Sequence, residues 1–171
     1  MTARARIVLS DARQALSDLA DGVSGSEWRR RWVTAVVLLR AVGHVLDKVD
    51  AESSPAMCRA IAETWRGLAA SKPEPRIFWD FIDAERNNVL KEYLVGAGQG
   101  VTVFIRGVSA RALVGGQQAP PVEPAEPLPP ATYSYPMTSG AFAGRDQREV
   151  VSEAIAWWDH YLDAIDAAAK L

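Results

Sequence analysis

From Phe78 to Tyr93 the chain reads FWDFIDAERNNVLKEY, an apolar pattern at helical spacing that a charged pair interrupts. On a wheel of about 100° per residue, Ile77, Phe78, Phe81, Ile82, Val89, Leu90 and Tyr93 share a broad apolar arc. Asp80, Asp83, Asn87 and Lys91 fall on the opposite side, which is expected to face water. Glu85 and Arg86 fall within the apolar arc. Charges among large apolar side chains are costly unless they are paired or used. This helix therefore carries the leading candidate for a site.

Four more helices are readable. The first is expected from about Ser10 to Asp21, with Ala12, Ala15, Leu16 and Leu19 at helical spacing. Gly22 and Gly25 end it. The second runs from about Glu27 to Asp50, with Ser26 as its N-cap. It is apolar nearly all round from Trp32 to Leu39, which suits the centre of a bundle. The third begins at Ser54 with Pro55 in its first turn and ends near Ala70. The Phe78–Tyr93 helix is the fourth, starting near Arg76 and stopping at Gly96-Ala97-Gly98. The fifth runs from about Arg145 to Lys170. Asp159, Asp163 and Asp166 line its outer face, which a solvated surface explains.

The expected fold class is all-α, a helical bundle of about five helices. A small β-hairpin and proline-rich excursion separates the fourth and fifth. Val101 to Arg106 is β-branched and reads as a strand, and Tyr133-Ser134-Tyr135 as its partner. Between them lie Pro120, Pro121, Pro124, Pro127, Pro129 and Pro130, which exclude regular helix and favour extended polyproline geometry. Residues 1–171 read as a single helical domain, with 99–144 as an irregular insertion too short and proline-rich for a core of its own.

The formal charge of −2 gives no global attraction to nucleic acid or anionic membrane, although Arg29, Arg30 and Arg31 make a local basic run. One cysteine, Cys58, excludes an intramolecular disulfide and reads as a small core residue on the apolar stripe of the third helix. With two histidines and one cysteine, no metal site and no cofactor are expected. No apolar run reaches the roughly 20 residues that cross a bilayer. The short Ile7-Val8-Leu9 run is no secretory core, so the cytoplasm is the expected location.

The second helix carries a complementary polar face. Arg40, His44 and Asp47 follow at spacings of four and three. A carboxylate one turn from a histidine orients the ring and keeps it protonatable near neutral pH. The plain alternative is a partly exposed histidine near a helix end, satisfied by Asp47 or solvent. If this face meets Glu85 and Arg86, a polar cluster forms inside the bundle.

An arginine followed by a polar residue, with a further residue about two turns on, resembles the HEPN superfamily of helical domains. Here Arg86-Asn87 and Tyr93 carry the resemblance, and tyrosine stands where the family has histidine. The resemblance covers roughly the second to fourth helices. It implies a dimeric helical domain and a metal-independent ribonuclease in a toxin–antitoxin or phage-defence setting. Arg86 would hold phosphate, Asn87 would hydrogen-bond to it, and His44 or Tyr93 would assist proton transfer. A tyrosine, with a pKa of about 10, is a poor base at neutral pH; in this resemblance His44 would supply the missing imidazole from another helix.

Two functions follow as expectations. One is a HEPN-like homodimer that binds or cleaves RNA or nucleotide through Arg86, His44 and Tyr93, with Glu85, Asn87, Arg40 and Asp47 as binding residues. The other is a non-enzymatic interaction module, in which Glu85, Arg86 and His44 only fix packing. Its proline-rich segment would then contact a protein partner.

Overall fold

A computed structural model describes residues 1–98, 100–102 and 132–170. These residues are mainly helical, so the all-α class holds at that level. The helices are α1 (Ala3–Asp18), α2 (Gly25–Lys48), α3 (Pro55–Ala70), α4 (Ala84–Asn87) and α5 (Gln147–Ala168). α4 is the middle of a longer composite helix over 77–92. Wider π turns flank it at Ile77–Asp83 and Asn88–Glu92.

α1 and α2 pack along each other, and α5 lies against α1, α3 and the composite helix. The core is one contiguous cluster. Trp32, Phe78, Phe81 and Trp158 fill its centre, with Leu9, Leu39, Leu162 and Ile165 around them. Trp157, Trp158 and Tyr161 of α5 form an aromatic stack that Phe78 joins edge-on and tilted.

Local signals place α3 well: Ser54 Oγ accepts the Met57 amide at 3.1 Å, and Pro55 occupies the first turn. α5 likewise starts where Asp146 accepts the Arg148 amide at 2.8 Å. The start of α1 differs from expectation by seven residues, Ala3 instead of Ser10. Its first-turn amides find partners far along the chain. Buried Asp50, in a 3₁₀ turn over Asp50–Ser53, accepts from the Arg4 and Ala5 amides at 3.0 and 2.9 Å. Asp166 of α5 accepts from the Thr2 amide at 2.7 Å and from Arg6 at 2.9 Å. Asp159 pairs with Arg13, and Asp163 with Arg6. The acidic face of α5 is thus its seam with α1, not a plain solvated face. α2 begins at Gly25 with Ser24 as N-cap, two residues ahead of the expected Glu27 start, and Ser26 lies inside the helix.

The small β-hairpin is not supported as a unit. The described residues show two three-residue strands, β1 (Gly100–Thr102) and β2 (Thr132–Ser134), antiparallel with Val101 opposite Tyr133. A two-stranded ladder this short adds little stability by itself. The rest of the Val101–Arg106 strand and the proline-rich stretch lie outside the described residues. Tyr135 is not part of the strand. It is buried, and its hydroxyl donates to the Ala20 and Val23 carbonyls at 3.4 and 3.3 Å. The chain on either side is tied in by backbone bonds: Gly98 N–H to Pro136 O, Thr138 N–H to Gly96 O, and Gln147 N–H to Tyr135 O, each at 2.8 Å.

Candidate functional site

The π turns decide where the charged residues of the composite helix point. A π turn closes i→i+5 hydrogen bonds and advances fewer degrees per residue than an α turn. A 100° wheel therefore drifts out of phase along 77–92. Glu85 remains inward and is 4% exposed. Arg86 is half-buried, Leu90 is on the surface, and Tyr93 is 64% exposed. The helix stops at Tyr93 itself, which adopts a left-handed conformation with φ 52°, instead of at the following glycines.

Glu85 and Arg86 do separate jobs. Glu85 Oε1 accepts from the Trp32 indole N–H at 3.2 Å and from the Gly96 amide at 2.6 Å. A Cβ on residue 96 would run into this carboxylate, so the close approach requires glycine there. Glu85 therefore locks α2, α4 and the chain after the composite helix together. No ion pair joins it to Arg86 among the described residues. The expected Glu85–Arg86–His44 cluster is thus divided, with Glu85 on the buried side.

The other members meet near the surface. Arg40 Nε of α2 donates to Asp83 Oδ1 at 3.2 Å. Asn87 Nδ2 donates to Asp83 Oδ2 at 3.4 Å, and Arg86 Nη1 donates to Asn87 Oδ1 at 3.0 Å. Asp83, expected on the solvated side and not counted among the site residues, is the hinge of this chain. Only its partner on another helix reveals it. Arg86 makes no further polar contact among the described residues, and Arg40 adds only the one to Asp83.

His44 is exposed one turn beyond Arg40. Partial burial, then the positive charges of Arg40 and Arg86, push its pKa below the usual histidine value, with Asp47 pulling weakly the other way. Asp47 is taken up by Lys48 at 2.8 Å. It does not hold the ring, and the expectation of a carboxylate-supported, readily protonated histidine is reversed. The imidazole is neutral at neutral pH and is a proton acceptor. The Tyr93 side chain is 64% exposed at the left-handed helix end and makes no hydrogen bond to Arg86 or His44 among the described residues.

Of the other candidates, Arg31 is engaged by the Asp18 carbonyl and Glu27, while Arg29 and Arg30 face solvent. Cys58 is exposed, which corrects its assignment to the core. Among the described residues no group of three or more His, Cys, Asp or Glu is arranged to hold a metal ion. No helix among them is long and apolar enough to cross a membrane. No family model, curated protein or solved structure matches this chain.

Two guanidinium groups with unused donors beside a neutral imidazole are suited to an oxyanion. Arginine's planar fork matches phosphate oxygens, and a neutral histidine at the same place can accept a proton from a nearby hydroxyl.

Proposed function

We propose that this chain is a HEPN-like helical domain that binds RNA or nucleotide phosphate on Arg40 and Arg86, in a toxin–antitoxin or defence setting. In the ribonuclease form of this reading, His44 takes the proton of the 2′-hydroxyl as its oxygen bonds to the adjacent phosphorus, the P–O5′ bond breaks, and the 5′-oxygen leaves with a proton from water, giving a 2′,3′-cyclic phosphate without a metal; a second copy of the chain completes the cleft. The observation that carries it is the convergence of Arg40 and Arg86, from two helices, on Asp83 and Asn87 with His44 alongside. Tyr93 has no part in it. The test is titration of labelled single-stranded RNA, in the presence of a chelator, against the wild type, Arg86→Ala and His44→Ala. Arg86→Ala weakens binding by about tenfold, the worth of one charged hydrogen-bonding group. His44→Ala keeps binding and loses any cleavage. Equal RNA binding by wild type and Arg86→Ala contradicts the proposal.

A second reading is a protein-interaction module, favoured by Leu90, Tyr93 and Leu94. These large apolar side chains are exposed together at the end of the composite helix. Sedimentation of the wild type and Leu90→Lys separates a partner or self-association role for this patch from a merely exposed helix end.

A further inference from the structure

α2 and α3 barely touch beyond the 3₁₀ turn that joins them, and the space between them is a groove of about 810 Å³. That is within the usual range of small-molecule sites, about 300–1,000 Å³. Buried Phe78 and Trp158 line it, together with Trp65 from α3, 45% exposed, and Tyr161 from α5, whose phenol burial pushes up to about 12. Gly43 keeps the α2 wall open: a Cβ there would lie 3.0 Å from the Trp158 ring. Trp65 and Tyr161 offer accessible rings over the buried Phe78 and Trp158, a stacking surface for a planar ring.

The charged edge has one sign in excess. Arg40, Lys48 and Arg66 line the groove; Asp83 engages Arg40 and Asp47 engages Lys48, which leaves Arg66 as the cation without an ion pair among the described residues. This local positive charge lies on a chain of net charge −2. Arg40 belongs both to the groove and to the Arg40–Asp83–Asn87–Arg86 chain, and His44, which feels the charge of both arginines, lines the groove beside it, so the groove adjoins the phosphate site.

We propose that the groove seats the base of a nucleotide whose phosphate lies at Arg40, so that the ligand class is a nucleoside monophosphate or an RNA end. This rests on the phosphate reading of Arg40 and Arg86. The aromatic lining selects a flat ring over a flexible chain, and the basic edge selects a phosphate ester over an uncharged nucleoside.

Calorimetric titration with adenosine monophosphate, inorganic phosphate, adenosine and laurate tests the proposal. It is paired with iodoacetamide labelling of Cys58, the only thiol, which lines the groove. The monophosphate binds at least about tenfold tighter than inorganic phosphate, as expected for base stacking, and slows alkylation of Cys58. Trp65→Ala removes that advantage and leaves phosphate binding intact. The proposal is overturned if the monophosphate binds no tighter than phosphate, if Cys58 reacts at an unchanged rate at saturation, or if laurate binds more tightly. The labelling arm uses the unaltered protein and so does not depend on how Trp65→Ala folds. If Arg86→Ala abolishes phosphate binding while the base adds nothing, the groove fails and the phosphate reading stands. If the monophosphate still protects Cys58 in Arg86→Ala with unchanged affinity, the groove stands and the role of Arg86 fails.

Discussion

The Glu85 carboxylate accepts the Gly96 amide at 2.6 Å across eleven residues of chain, and the same oxygen accepts the Trp32 indole N–H at 3.2 Å. A buried carboxylate shared by two donors makes Glu85 a fastener, and its removal strands both. Glu85→Ala destabilises the protein by about 3 kcal/mol, the cost of leaving buried donors unsatisfied. Gly96→Ala costs about 1–3 kcal/mol through overpacking against the carboxylate. Because Glu85→Ala removes the obstacle, the double variant loses less than the sum, by more than about 0.5 kcal/mol. Urea denaturation of the four proteins measures it, and strict additivity would show that the two residues do not touch.

Asp166 ties α1 to α5 and confers a pH dependence. Burial raises its pKa, but hydrogen bonds from Arg6 and Thr2 outweigh this and hold it below the usual carboxylate value. The folded pKa lies below the unfolded value of about 3.9. The contribution is therefore present above about pH 4 and is lost as pH falls through the folded value. Melting temperatures of the wild type and Asp166→Asn differ at pH 6 and converge toward pH 2. A constant gap over that range contradicts the assignment.

How much of this was legible in the sequence depended on where each partner lay. α3 was readable because Ser54 and Pro55 sit beside the turn they cap. The start of α1 was not, because Asp50 and Asp166 reach it across 46 and 164 residues. Glu85 faces inward as the wheel predicts, one turn after buried Phe81, even though a π turn over Ile77–Asp83 precedes it. Leu90 and Tyr93 leave the apolar arc because a second π turn, Asn88–Glu92, adds its phase change to that of the first. Asp83 carries no local signal, because its role depends on Arg40, 43 residues away on another helix. Arg40, Asn87 and Arg86 stand out in the local pattern, and Asp83 links them in one hydrogen-bonded chain, with His44 near enough to feel both arginines. Asp47, turned to Lys48, does not join them.

Tyr93 supplies a check on the resemblance-based role. Its left-handed backbone conformation costs a non-glycine residue about 1 kcal/mol or more, and its side chain is mostly exposed. Tyr93→Gly is neutral to stabilising, within about 1 kcal/mol, and leaves RNA binding unchanged. Thermal melting and the RNA titration read both. A large loss of RNA binding or cleavage in a folded Tyr93→Gly protein would restore a direct role for the phenol.

The central claim is that an oxyanion seats among Arg40, Arg86 and His44, and His44 itself reports on it. Its pKa in the free protein is lowered by partial burial and by the two arginines. A bound phosphate would counter those charges and raise it. The most direct measurement is an NMR titration of the His44 ring from pH 4.5 to about 8.5, a window bracketing the usual value, with and without a saturating 5′-phosphorylated RNA oligonucleotide. The account predicts a pKa below the ordinary histidine value in the free protein, a clear rise with RNA bound, and loss of that rise in Arg86→Ala. An unchanged His44 pKa at saturating RNA would contradict it.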